Sequence, residues 1–118
     1  PPGITVAVAK DRAIESFMQV NKTFVINILR EDNFQKMFRH FLKRFAPGAD
    51  RFADVDIIED LAKGGPVLSE ALAFLDCKVI SRLETPDHWI IYGVVENGSV
   101  SDLTCKTAVH HRKVANHY

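Results

Sequence analysis

The sequence predicts a mainly β domain of the α+β type, a small antiparallel β-barrel with two or so flanking helices. Three observations support this: several segments are rich in β-branched residues, short turn signals separate them, and only two segments have helical periodicity. Closure into a barrel removes exposed strand edges, which favours it for about five strands. A flat α+β sandwich fits the same elements and is the competing architecture.

The first part of the chain places a short helix between two strands. "GITVAVA" (3–9) is typical of a largely buried strand, and "TFVINIL" (23–29) predicts a second one. Between them, "RAIESFMQV" predicts a short helix that Asp11 caps. We expect its apolar face to consist of Ile14, Phe17 and Met18.

The strongest helical signal lies between Asp32 and Phe45. Asp32 is the expected N-cap, with Gln35 three residues later, and Pro47 and Gly48 follow the helix. Apolar residues recur at helical spacing and predict a core face: Phe34, Met37, Phe38, Phe41, Leu42 and Phe45. The opposite face is cationic and is expected to be solvated: Lys36, Arg39, His40, Lys43 and Arg44.

The second part of the chain predicts a long β-hairpin. The segments "LAFLDCKVISRLE" (72–84) and "HWIIYGVVENGSV" (88–100) predict two strands, and "TPD" (85–87) is a short turn between them. "GGPVL" (64–68) and the dipeptide Asn97-Gly98 are further turn signals. The segment "TAVHHRKVANHY" (107–118) begins as a strand and becomes polar.

Composition excludes several function classes. The net charge is +0 and the sequence pI is about 7.4, which argues against nucleic acid and against an anionic membrane as partners. No apolar run approaches the roughly 20 residues of a membrane-spanning helix. Cys77 and Cys105 do not form a C-x-x-C motif, so we expect reduced thiols and a cytoplasmic location. Because the chain begins at Pro1, we also expect it to be a fragment of a larger multidomain protein.

Motifs for metal binding and nucleophilic catalysis are absent from the sequence. His110 and His111 are adjacent, so on a strand they would point to opposite faces. No H-E-x-x-H, paired C-x-x-C, G-x-S-x-G, G-x-G-x-x-G or P-loop motif occurs. "HHRK" (110–113) is either a basic strand end at the surface or a source of side chains for a pocket that holds an anionic or aromatic ligand.

The end of the first strand is the better candidate site. A strand that runs into a helix leaves free backbone N–H groups, and Lys10 and Arg12 would add positive charge for a phosphate. The alternative is that Asp11 caps the helix while both cations are solvated.

Several segments in order carry a resemblance to a known family. The proline pair, "AIESFMQ", "FVINIL" and the Phe-rich helix resemble the flavin reductase-like family of FMN-binding split barrels. "HFLKRFAPGADRF", "PVLSEALAFLDCKV", "DHWIIYGVVENG" and "TAVHHRKVANHY" closely resemble the C-terminal module of cyanobacterial diflavin flavodiiron proteins. The resemblance covers nearly the whole chain.

The resemblance implies a six-stranded split barrel that forms a homodimer and binds FMN near the subunit contact. Such a module oxidises NADH or NADPH and passes electrons through a flavodoxin-like domain to a diiron domain of the same polypeptide, where oxygen is reduced. The metal ligands belong to that separate domain, so no metal is expected in this chain. Because flavin and nicotinamide carry the hydride chemistry, a catalytic triad is not needed.

The resemblance also implies site residues. The turn that holds the FMN phosphate corresponds to Lys10, Asp11 and Arg12, and Ser16 is the nearest following hydroxyl. Asn27 lies in the family's "FVxNxL" stretch and is either structural or ligand-binding. The segment that approaches flavin and nicotinamide contains His110, His111 and Arg112, with His111 as the candidate catalytic residue.

Two departures from the family pattern shape these expectations. Relatives have a strand just before the proline pair, so we expect residues 1–118 to be a flavin reductase-like domain without its N-terminal strand. Many relatives have small hydroxyl residues at the phosphate turn, where this chain has "AKDR" (9–12). A non-catalytic flavin-binding module that dimerises and positions neighbouring domains is the alternative function, and a haem- or B6-type split barrel is a third.

Overall fold

The computed structural model describes residues 1–46 and 48–109 of the chain. In these residues the strands are β1 (Gly3–Ala9), β2 (Thr23–Ile28), β3 (Ile57–Ile58), β4 (Val67–Leu68), β5 (Ala73–Glu84) and β6 (His88–Val100). A 3-10 segment (Ala13–Phe17) follows β1, and the helix α1 (Phe34–Phe41) follows β2. No helix in this part of the chain is long and apolar enough to cross a membrane.

The main sheet has the strand order β1-β6-β5-β2, and every neighbouring pair is antiparallel. β1 and β2 form its two edges, yet side chains from both strands pack in one hydrophobic cluster. The sheet is therefore curled into a half-barrel, as the right-handed twist of strands favours. The prediction of an antiparallel split barrel is confirmed.

The concave side of the half-barrel holds the main core. Its buried members are Val8, Met18, Phe24, Cys77, Val79 and Ile91. The ring of Phe24 reaches from β2 across β5 to β6, where a Cβ on Gly93 would lie 3.2 Å from two of its ring carbons. Glycine at this position therefore leaves room for a side chain that packs the edge strand β2 against β6.

A second hydrophobic cluster joins α1 to the β3–β4 hairpin. Met37, Leu68 and Ala71 are buried in it, and partly buried apolar residues surround them: Leu29, Phe41, Phe52, Val55 and Ile57. Because this cluster shares no member with the core of the half-barrel, α1 packs outside the concave side of the sheet.

Two β-bulges set which side chains face the core. Val79 pairs with Gly93 and Ser81 with Tyr92, so Ile80 is an extra residue in β5. After this bulge Arg82 pairs with Ile91 on the concave side, and Leu83 is 65% exposed. The second bulge leaves Glu96 as an extra residue in β6.

The helices differ from the sequence predictions in length and capping. α1 is shorter than the predicted span of 32–45, and its N-cap is Asn33 and not Asp32, which accepts hydrogen bonds from Arg30 instead. The first predicted helix is the 3-10 segment, whose N-cap is Arg12 and not Asp11. Of its predicted apolar face only Met18 is buried; the rest is exposed (Ile14 and Phe17).

The predicted turn at Asn97-Gly98 is wrong, since both residues lie inside β6. A Cβ on Gly98 would lie 2.8 Å from the carbonyl oxygen of Phe74, so this glycine allows close approach between β5 and β6 beside the bulge. Glycine in a strand marks such a close backbone approach as well as a turn.

Candidate functional site

A groove of about 610 Å³ lies between the two edge strands of the half-barrel. β1 contributes residues 6–9, β2 contributes residues 24–26, and Ile14 and Met18 close one end. Most of these side chains are apolar, and Arg12 and His88 are the charged or titratable ones. The volume lies within the roughly 300–1,000 Å³ range of small-molecule and cofactor sites.

Backbone polar groups point toward this groove from both of its walls. Lys10 N donates to Asp87 O at one end of the β1–β6 ladder, and Val79 N donates to Lys22 O at one end of the β2–β5 ladder. Because hydrogen-bonded and outward positions alternate along an antiparallel edge strand, Ala7 and Val25 direct their N–H and C=O groups away from the sheet. The groove can therefore offer hydrogen bonds to the polar rim of a flat ligand.

The structure separates the cations that the sequence placed together. The Lys10 ammonium lies 2.6 Å from Glu84 Oε2 and 5.4 Å from the ring centroid of Trp89. Arg12 lines the groove, and within the described residues its guanidinium makes no ion pair or hydrogen bond. Asp11 is exposed beside it. Arg12 is thus the residue of this turn that can bind an anion in the groove.

Ser16 and Asn27 use their side chains within the fold. The Ser16 hydroxyl donates to Ala13 O at 3.0 Å. The Asn27 amide donates to Pro66 O at 3.2 Å and accepts from Leu68 N at 2.9 Å, which fixes the β3–β4 hairpin to β2. Neither lines the groove. The remaining predicted residues lie outside the described part of the chain: His110, His111 and Arg112.

Arg82 organises the end of the half-barrel beside the groove. Its Nη2 lies 2.5 Å from Glu15 Oε1, its Nη1 donates to Gln19 Oε1, and its Cζ lies 4.0 Å from the centroid of Trp89. The side chain is only 10% exposed. The sequence analysis missed this residue because strict alternation along β5 turns Arg82 outward; the bulge at Ile80 reverses that.

His88 was also missed as a residue of the groove. It begins β6 opposite Ala9, so it lies at the same end of the sheet as the charged turn. Its Nδ1 is 3.0 Å from Asp87 Oδ1, and the hydrogen bond with His88 lowers the pKa of that carboxyl. The sequence signal for His88 was its position as the first residue of the predicted strand 88–100, directly after the turn at 85–87.

Neither thiol of the chain is set up as a nucleophile. Burial raises the pKa of Cys77, and the hydrogen bond to Asp102 raises the pKa of Cys105. The thiolate is the reactive form, so both side chains are weak nucleophiles at neutral pH. Within residues 1–46 and 48–109, no three His, Cys, Asp or Glu side chains are grouped to hold a metal ion.

A curled antiparallel sheet with an apolar groove between its edge strands defines the chain as a split β-barrel. Residues 1–116 match the family described as flavin reductase like domain. The chain belongs to this family, as its sequence resemblance implied.

The curated relatives are diflavin flavoproteins of cyanobacteria. The chain is 60% identical over 118 residues to diflavin flavoprotein A 1 of Synechocystis sp. and 57% identical to putative diflavin flavoprotein A 1 of Thermosynechococcus vestitus. All of this chain is covered in both comparisons, but it spans only 20% of each relative. In these relatives the domain is one module of a larger protein.

Solved structures show the same fold. The NADH:FAD oxidoreductase SgcE6 of Streptomyces globisporus C-1027 superposes with a TM-score of 0.75 at 27% identity, over 91% of this chain and 63% of the oxidoreductase. A structure of that oxidoreductase in complex with NAD and FAD fragments gives the same TM-score of 0.75 at 26% identity, over 91% of this chain and 62% of that one.

Proposed function

We propose that this chain is an NAD(P)H-dependent flavin reductase module that binds FMN in the groove between β1 and β2. The observation that carries the proposal is an apolar groove lined by Arg12, whose guanidinium is unpaired within the described residues, in a chain of the flavin reductase like family. A flat ring system with a phosphate tail needs this combination of surfaces. Bound flavin supplies hydride acceptance from the nicotinamide.

The residues of the groove bind and orient the flavin. Val8 and Phe24 provide an apolar surface for the ring and exclude water from it. The outward backbone groups of Ala7 and Val25 bond to polar atoms of the ring. Arg12 pairs with the phosphate, which an arginine binds with two parallel hydrogen bonds.

The nicotinamide site is proposed from the sequence resemblance. His110, His111 and Arg112 would approach the flavin, with His111 nearest to the reacting atoms. We propose NADH or NADPH as the electron donor, and the similarity to the NADH:FAD oxidoreductase SgcE6 supports a nicotinamide donor.

The wider role that we propose for the chain is supported by its relatives. Since it spans a fifth of diflavin flavoproteins, we propose that residues 1–118 are one domain of a longer cytoplasmic polypeptide. In that polypeptide the electrons would pass to a flavodoxin-like domain and then to a diiron domain that reduces oxygen. A dimer with flavin near the subunit contact is part of the proposal, and analytical ultracentrifugation tests it.

Flavin titration and nicotinamide oxidation test the function directly. The chain is mixed with FMN, the visible spectrum is recorded, and the absorbance of NADH or NADPH is followed under oxygen. The expected result is bound flavin and steady oxidation of one or both nicotinamides. Flavin binding without oxidation would support the non-catalytic module instead, and a chain that binds no flavin would contradict both.

The role of Arg12 gives the first prediction. Arg12→Met should weaken FMN binding about tenfold, because it removes a charge-assisted hydrogen bond to the phosphate. Calorimetric titration measures the change. Arg39→Met on α1 is the control, since Arg39 is also exposed but lies outside the groove lining. Equal FMN affinity of the Arg12→Met and Arg39→Met variants would refute the phosphate role.

A further inference from the structure

We propose that Arg82 is a positioning residue that holds Arg12 at the groove and thereby sets the affinity for the flavin phosphate. The inference rests on the proposed function. It concerns a residue of β5 whose largely buried side chain contacts Glu15, in the 3-10 segment that Arg12 precedes.

The contacts of Arg82 fasten the 3-10 segment to the sheet. The guanidinium binds Glu15 inside that segment and Gln19 just after it. The Gln19 amide also donates to Glu15 Oε1 at 3.2 Å, so the acceptors are held relative to each other. The stacking on Trp89 fixes the plane of the guanidinium against β6.

A short chain of hydrogen bonds connects this anchor to Arg12. Glu15 N donates to Arg12 O at 3.0 Å, and Arg12 N donates to Ala9 O at 3.1 Å. The backbone of Arg12 is therefore held between the end of β1 and the residue that Arg82 binds. If Glu15 loses its contact with Arg82, the turn is no longer fastened to β5, and the direction in which the Arg12 side chain points is no longer fixed.

The other end of the turn is fastened to the same β-hairpin. Lys10 N donates to Asp87 O at 3.0 Å, and Lys10 Nζ pairs with Glu84 at 2.6 Å. Both ends of the turn are thus tied to β5 and β6. Lys10, Arg82 and His88 each have an acidic partner, which leaves Arg12 as the unpaired cation of this cluster within the described residues.

The burial of Arg82 favours a positioning role over a purely stabilising one. The side chain is 10% exposed, and its Nε is buried without a hydrogen-bond partner in the described residues. The desolvation cost of a buried ion pair often cancels its attraction, so the pair as a whole adds little net stability, although removing one partner alone is destabilising because the other charge is left unpaired. The planar guanidinium of Arg82 binds Glu15 and Gln19 in a fixed geometry, which an apolar side chain cannot reproduce.

Comparing the affinities for FMN and riboflavin distinguishes a positioning role of Arg82 from general disruption of the flavin site. In Arg82→Met the side chain still packs on Trp89 but no longer binds Glu15. We expect FMN affinity to fall about tenfold, as for a lost charge-assisted phosphate contact, while riboflavin, which lacks the phosphate, binds within about twofold of the unmodified chain. Arg51→Met is the matched control, because Arg51 also stacks on an aromatic ring, that of Phe45, outside the groove lining.

A double variant tests whether Arg82 acts through Arg12. If it does, Arg12→Met/Arg82→Met binds FMN as weakly as Arg12→Met alone. Arg82→Lys should restore only part of the affinity, since an ammonium cannot hold Glu15 and Gln19 in the same plane. If Arg82→Met does not fold, as judged by circular dichroism, Glu15→Met supplies the same comparison, because it removes the acceptor that Arg82 binds.

The possible results distinguish this inference from the function on which it rests. Equal losses for FMN and riboflavin, or fully additive losses in the double variant, overturn the positioning role and leave the flavin site intact. Unchanged FMN affinity in Arg12→Met overturns the phosphate assignment, and the role of Arg82 is refuted with it. A selective, non-additive loss for FMN supports both.

Discussion

At the scale of single residues, Asp76 shows how a buried charge is used to hold a loop. It lies on the convex side of β5 and is 5% exposed. Its Oδ2 accepts from Lys63 N at 2.7 Å and its Oδ1 accepts from Gly64 N at 3.0 Å. Two backbone donors thus satisfy the carboxylate, as buried polar groups require.

Replacing this carboxylate gives the second prediction. Asp76→Asn should lower the free energy of unfolding by about 1–3 kcal/mol, because the amide NH₂ cannot accept from a backbone N–H. Urea denaturation measures the change. Asp56→Asn is the control, since Asp56 is exposed and its side chain makes no hydrogen bond within the described residues. Equal stability of both variants would contradict the anchoring role.

Single residues of the site were predictable only where position along the chain was enough. Arg12 was found because it follows a strand, and the structure places it at the groove. The sequence could not show that Lys10 is paired with Glu84, since that contact joins residues far apart in the chain. The ligand roles of Ser16, Asn27, His110, His111 and Arg112 stay predictions.

At the scale of elements, the long hairpin β5–β6 was predictable and its bulges were not. The segments, their bounds and the turn at 85–87 follow from alternation and turn chemistry. A bulge adds one residue without a distinct composition, so the side chains beyond Ile80 change faces with no signal in the sequence. Arg82 becomes an inner residue for this reason alone.

The loop before β4 provides the third prediction, through Gly64. A Cβ at Gly64 would lie 2.5 Å from the backbone of Phe24. Gly64→Ala should therefore cost about 3 kcal/mol or more, since neither backbone can move without disturbing the core. Thermal unfolding measures the loss.

Gly48 provides the control for the third prediction. Its φ is +78° and a Cβ there would meet nothing within 4 Å. Gly48→Ala should cost only about 1–2 kcal/mol of backbone strain. A smaller loss for Gly64→Ala than for Gly48→Ala would show that the loop packs less closely on β2 than the structure indicates.

At the scale of the whole molecule, the curl of the sheet was predictable only as one of two architectures. The number and spacing of the strands fitted both a barrel and a flat sandwich. The difference depends on Phe24 reaching Gly93 and on the bulges, none of which local patterns report. The resemblance to known split barrels supplied what periodicity left open.

The acid stability of the molecule gives the fourth prediction. Hydrogen bonds from Thr104 and Cys105 lower the pKa of Asp102 from its usual 3.8 to about 2. A carboxyl with a lowered pKa in the folded state contributes stability that is fully present above pH 3.8 and is lost as the pH falls toward 2. Asp102→Asn should therefore flatten the decline of stability across this range.

Urea midpoints at several pH values measure that decline. Asp56→Asn, which removes an exposed carboxyl without hydrogen-bonded partners in the described residues, should leave the decline unchanged. An identical pH profile for Asp102→Asn and the unmodified chain would mean that the turn at 102–105 does not contribute to acid stability.

The strand order also determines the sequence in which the fold can assemble. β5 and β6 are joined by a short turn and can pair early. β1 pairs with β6, from Gly3 opposite Val94 to Ala9 opposite His88, so its partner strand lies far away in the sequence. Pairing across so long a stretch of chain has a high entropic cost and slows folding. During synthesis on a ribosome, β1 would emerge before β2 to β6 and would pair last of these strands. The groove between β1 and β2 is complete only when β1 has paired with β6. The binding site should therefore be among the last parts of the molecule to form.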